Sequence, residues 1–265
     1  MRFRVLLLVL FVVSAFRPSD LQAADGVLLV QSITSGTAAA TSSQVQIEPN
    51  RIRTEVLIDG LRQAIVFDAA REVLLIVDPA RKSYIEMTRA DAERMSGMMQ
   101  GAMALMQEQL AKMPPAQRAM MEQKMAGVLG GAAASARPEY KRSGTDTVAN
   151  RLCDRYDVSV SGKKTSEICT VAPEALGLAA ADFGVLAKLS DFVRLLVPQM
   201  ADQLLGVGTP AQGFSGLPVR TTTTMPDGAT MTVTLTDARR ATFEDAIFQI
   251  PAGYQKRSLL PSAGQ

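Results

Sequence analysis

The sequence predicts an α+β fold, an antiparallel sheet with two helical insertions packed against it. Three observations carry that expectation. From Gly26 to Met87 the chain reads as short segments of period-two alternation, each bounded by turn residues. At Thr88 the period changes to 3.6. The order strands, helices, strands, helices, strands is that of an α+β chain and not of alternating βα units.

The elements follow in chain order. Arg2 and Arg4, the apolar run Val5 to Val13, and the small residues ending at Ala23 and Ala24 have the three-part pattern of a secretory signal peptide, expected over residues 1–24. The run is about half of the roughly 20 residues a spanning helix needs, and no cysteine follows it to take a lipid anchor. A soluble, single-domain mature chain of residues 25–265, in the periplasm or secreted, is the expectation. Cleavage after residue 24 removes three of the 28 basic residues and one of the 26 acidic ones, so no net charge remains. A neutral chain lacks the long-range attraction that draws proteins to nucleic acid or anionic membranes.

Arg51 to Ile58 alternates Ile52, Thr54, Val56 and Ile58 with Arg51, Arg53 and Glu55, a strand with one wet face. Asp59-Gly60 supplies the positive φ of a two-residue hairpin turn, and Leu61 begins the partner strand. Val73 to Val77 is apolar throughout, as in a strand covered on both faces. Asp78-Pro79-Ala80-Arg81 then turns it into Ser83 to Met87. Thr88 with Asp91 three residues on forms a capping box, opening a helical insertion over about 88–129 that Pro114-Pro115 divides. Gly130 to Pro138 reads as a link back to strands over Tyr140 to Val171. A second insertion over about 173–205 carries Leu186, Leu189, Phe192, Val193, Leu196 and Met200 as its apolar stripe, with Pro198 expected to break it. Val219 to Met225, a Pro226-Asp227-Gly228 turn, the alternation of Met231, Val233 and Leu235 with threonines, and a last strand near Ala246 to Ile250 complete the sheet.

Cys153 and Cys169 are the only cysteines, and an even pair in an exported chain predicts a disulfide. A hairpin about Val160 to Lys163 brings them together in a register that places Cys153 opposite Cys169 and Arg155 opposite Glu167. Tyr156, Val158, Val160 and Ile168 then form the other, apolar face. The spacing is too wide for a redox-active Cys-x-x-Cys pair.

Nine of the fourteen methionines lie between Met95 and Met125. Three readings stand open: an apolar face buried against the sheet, a soft exposed surface adaptable to hydrophobic ligands or protein partners, or thioether coordination of Cu(I) by i, i+4 pairs. The chain has no histidine, which removes Ser-His-Asp and Cys-His catalysis and leaves carboxylate or lysine chemistry. The acidic pairs Asp154/Asp157 and Glu244/Asp245 read as solvated turns and strand faces. Gly206-Val207-Gly208 follows a helix instead of a strand and so is no phosphate loop.

Val77-Asp78-Pro79-Ala80-Arg81-Lys82-Ser83-Tyr84, Cys153-Asp154-Arg155-Tyr156-Asp157-Val158 with Gly162-Lys163-Lys164, and Phe248-Gln249-Ile250-Pro251-Ala252-Gly253-Tyr254 resemble an exported bacterial family, domain of unknown function 4412. The resemblance implies a fold similar to the periplasmic lipoprotein-carrier group: an open half-barrel of about 10–12 strands whose concave face is closed by the two helical insertions. It names no catalytic residue.

The expected function is that of a non-enzymatic periplasmic protein that binds or carries a lipid, an acyl chain or a similar hydrophobic ligand. The candidate cavity residues are Met95, Met98, Met99, Met103, Met106, Met121, Met125, Leu189, Phe192 and Leu196. An envelope structural or interaction protein with a filled core, and a methionine-based Cu(I) binder, are the alternatives. The expected partners are a hydrophobic small molecule or an envelope protein, with no nucleic acid, no stable membrane span, no cofactor, and no catalytic or metal site.

Overall fold

The computed structural model describes residues 25–258 apart from 59, 116, 119, 121–136, 197–206 and 226–227. The expected signal peptide, residues 130–136 of the expected link and Pro198 lie outside the described residues, as do most of the second half of the first insertion and parts of two turns.

Twelve strands form one curved, unclosed sheet: β1 (Asp25–Ser35), β2 (Thr41–Ile47), β3 (Arg51–Ile58), β4 (Leu61–Asp68), β5 (Val73–Asp78), β6 (Ser83–Thr88), β7 (Glu139–Val148), β8 (Arg151–Val160), β9 (Lys163–Val171), β10 (Leu217–Thr224), β11 (Thr230–Thr242) and β12 (Gln255–Arg257). Their order is β12-β6-β5-β4-β3-β2-β1-β11-β10-β9-β8-β7. The chain enters mid-sheet and steps outward through hairpins to β6. It crosses to the far edge as β7, then steps inward until β11 pairs with β1. Every pair is antiparallel except β12 with β6. The edge strands β7 and β12 do not meet, so the half-barrel stays open.

The local expectations hold where short-range chemistry decides them. Ile58 pairs with Leu61 across a two-residue turn whose Gly60 has φ 75°. On β5, Val73, Leu75 and Val77 bury against Phe248 on one face, while Leu74 packs into the main core on the other. Asp78 accepts hydrogen bonds from the backbone N–H and the guanidinium of Arg81, fixing the turn into β6.

Helix α1 (Arg89–Ala111) opens with the expected capping box: Asp91 N–H donates to Thr88 Oγ1 at 3.2 Å, and Thr88 N–H donates to Asp91 Oδ2 at 3.1 Å. Pro114 and Pro115 follow its end, and the Arg118 guanidinium donates to the carbonyls of Leu110 and Ala111 that the finished helix leaves without intrahelical partners. The hydrogen bonds from Thr88 hold the Asp91 carboxyl below its ordinary value of 3.8. A group whose folded value is depressed contributes stability above its unfolded value and loses it as pH falls through the folded one. Thr88→Ala is therefore expected to lower stability by about 1 kcal/mol at neutral pH and by less in acid, checked by thermal unfolding at about pH 7 and about pH 3.

Four expectations are corrected. The second insertion is not one helix: 3-10 turns at Pro173–Leu176 and Ala180–Phe183 precede helix α2 (Gly184–Leu196). Gly177 between them takes φ 72°, a left-handed conformation that ends the first turn and lets Leu178 and Phe183 both reach the core.

The disulfide forms, with Cα atoms 5.5 Å apart, but the hairpin register differs by two residues. Arg155 lies opposite Cys169, and Asp157 lies opposite Glu167. A tight turn at Ser161-Gly162 and a bulge at Val158/Ser159, which leaves Thr165 unpaired, together move the pairing. A two-residue slip keeps each side chain on its face, so Tyr156, Val158 and Ile168 still cluster and the cysteines still meet, as diagonal neighbours.

The strand expected near Ala246 to Ile250 is a 3-10 turn, Asp245–Phe248. Side chains hold it against the outer face of the sheet instead of its edge. Arg51 bonds Asp245 and Glu48 and lies 4.6 Å from the centre of the Phe248 ring, while Arg53 donates to the Ile247 carbonyl.

The last correction concerns α1. The main core lies between the sheet and the segment from Leu178 to Phe192, where Val27, Leu29, Ile47, Phe67, Val185, Phe192, Leu217 and Leu235 pack together. With α2 already on that face, α1 rests on α2 and touches the strands at β6, and Ala92 is its buried residue. Met95 packs at the margin of the core, but the rest of its methionine stripe is not buried against the sheet.

Candidate functional site

Helix α1 starts from β6 because the Thr88 cap directs it there, and β12 pairs with the free edge of β6, Gln255 opposite Ser83 and Arg257 opposite Ile85. The first turns of α1 and the two strands enclose a groove of about 210 Å³ lined by Glu86, Met87, Asp91, Arg94, Met95, Met98, Lys256, Arg257 and Ser258. Met87, Met95 and Met98 supply its apolar wall. Arg94, Lys256 and Arg257 supply the cations.

Lys256 donates to Glu86 Oε1 at 2.7 Å, which holds the ammonium above the usual lysine range. Asp91, already bound to Thr88, lies 3.4 Å from Arg94. The groove thus joins a thioether surface, which is polarizable and takes many shapes, to charged side chains. That combination suits an amphiphile.

The structure distributes the candidate cavity residues unevenly. It brings Met95 and Met98 together in the groove. Met98 and Met99 are each 51% exposed and Met103 is 45% exposed, continuing the stripe along α1, and Met106 is half-buried. Leu189 and Leu196 pack at the margin of the main core, and Phe192 is inside it, its ring 5.4 Å from that of Phe67. Met121 and Met125 lie outside the described residues. Sequence reasoning missed Arg94, Lys256 and Arg257; the last two reach the groove because β12 pairs with β6, which brings Lys256 to Glu86 170 positions away, and no local signal exists for that pairing. Among the described residues no group of three or more Asp, Glu, Cys or His side chains is arranged to hold a metal ion, and no helix is long and apolar enough to cross a membrane.

The fold and groove define an open half-barrel protein with an amphiphilic site at one edge. The family described as domain of unknown function (DUF4412) matches residues 85–254, more than half of the chain, and the protein belongs to that family. No curated protein matches the sequence. Among solved structures the chain is similar to an uncharacterized conserved protein from Thermus thermophilus, at 7% identity over 89% of this chain and 91% of that one, with a TM-score of 0.45. It is also similar to the Pseudomonas aeruginosa MucA/MucB complex, at 11% identity over 86% of this chain and 56% of that one, with a TM-score of 0.36. A LolA superfamily protein from Nitrosomonas europaea is similar at 8% identity over 86% of this chain and 90% of that one, with a TM-score of 0.26.

Proposed function

We propose that this is an exported, periplasmic, non-enzymatic protein that binds a hydrophobic ligand, a lipid or acyl chain, along the methionine-bearing side of α1. The observation that carries the reading is the row of thioethers running from the groove along α1, half-buried at Met95 and exposed at Met98, Met99 and Met103. An apolar row left in water costs free energy that a bound chain would recover, and methionine adapts to ligands of different shape. The half-barrel interior under α2 is filled by Phe67, Phe192 and their neighbours, so the ligand's room is on the α1 side. The buried disulfide supports an oxidising compartment, as does the signal-like sequence of residues 1–24. The packed core equally favours a second reading, an envelope protein docked on the same methionines.

Delipidated protein is expected to bind a fluorescent fatty-acid probe, and the Met95→Ser, Met98→Ser double variant to bind it about fivefold or more weakly through lost apolar contact. A wild-type protein that binds no probe and carries no lipid in native mass spectra overturns the ligand reading. Crosslinking in cells that captures an envelope protein in its place would support the second.

A further inference from the structure

Resting on that reading, we propose that the ligand carries a single negative charge at its polar end, that Arg257 recognises it, and that the ligand is a long-chain carboxylate. The argument is a balance of charge in the groove. Lys256 and Glu86 neutralise one another at 2.7 Å. Arg94 and Asp91 do so at 3.4 Å, and Asp91 is also committed to the α1 cap, so neither acid is free to turn elsewhere. Arg257 lines the same groove and has no ion-pair partner among the described residues. One positive charge is left over, beside the thioethers of Met95 and Met98.

A guanidinium meets a carboxylate through two parallel N–H···O bonds, and one surplus charge matches a monoanion. A phosphate monoester carries close to two negative charges near neutral pH and would leave one uncompensated. The tail has a track as well. Met95, Met99, Met103 and Met106 recur every three or four residues on α1, with Met98 beside them, a stripe about 16 Å long at the helical rise, which suits a chain and not a small solute.

The test compares oleate, oleyl alcohol and dodecyl phosphate as competitors of a fluorescent fatty-acid probe on the delipidated full mature chain, in wild type, Arg257→Gln and Met98→Ser. Arg257 is exposed, and an unchanged far-UV spectrum verifies that its variant folds. The expected result is that Arg257→Gln weakens oleate about tenfold, as loss of a charge-assisted pair at an exposed site does, and leaves oleyl alcohol unchanged. Met98→Ser should weaken both. Equal oleate affinity in wild type and Arg257→Gln, or tighter binding of dodecyl phosphate than of oleate, overturns the charge assignment while the hydrophobic-ligand reading survives. Failure of wild type to bind any of the three overturns both.

Discussion

Replacing Phe192 by alanine is expected to cost about 3–5 kcal/mol of stability, the loss found when a large aromatic side chain is removed from a core that cannot collapse around the space. Phe192 is 3% exposed, and its ring meets Phe67 at 5.4 Å with the planes inclined by 55°. It is the point at which α2 is fastened to the middle of the sheet, and α1 rests on α2. The effect should therefore reach the candidate site: the variant is expected to lose cooperativity in urea unfolding and to bind the fatty-acid probe less tightly, although Phe192 lines no part of the groove. Adding Phe67→Ala to Phe192→Ala should cost less than the two single changes summed, because the rings share one contact. A loss below about 1 kcal/mol in the single variant would show that α2 is not held by this packing.

Removing the disulfide, by Cys153→Ala with Cys169→Ala, is expected to cost about 3 kcal/mol in the chain-entropy account of a loop of this size. The cysteines are 16 positions apart in sequence and are 2% and 1% exposed. The urea midpoint of the oxidised protein should exceed that of the double variant, and added reductant should lower the first without moving the second. Because both residues belong to the main core, reduction should be slow under native conditions and fast near the unfolding midpoint. Identical midpoints with and without reductant would show that the bond contributes nothing to stability.

Part of the candidate site is legible in the residue order alone. The methionine spacing on α1 and the Thr88/Asp91 cap that aims the helix are both local patterns, and Met95 and Met98 stand where such a pattern would put ligand contacts. The charged side of the lining is not legible there. Glu86 and Arg94 look like ordinary surface residues, and Lys256 and Arg257 sit in a short terminal strand with no alternation to mark it. Likewise, nothing in Asp245–Phe248 distinguishes a strand from a 3-10 turn until Arg51 and Arg53 are seen to hold it on the outer face.

What the residue order determined by itself is whatever a few neighbouring side chains can decide: the Ile58–Leu61 hairpin, the start of α1, the break at Pro114, and a cysteine pair close enough to bond even in a shifted register. Only the tertiary structure decided that β1 pairs with β11, that β12 extends the edge at β6, and that α2 covers the sheet and so leaves Met98, Met99 and Met103 of α1 exposed. The physical reason is separation along the chain. A turn or a cap gains its hydrogen bonds while ordering few residues, whereas a distant pairing is selected by the summed burial and hydrogen bonding of the whole fold against the entropy of closing long loops.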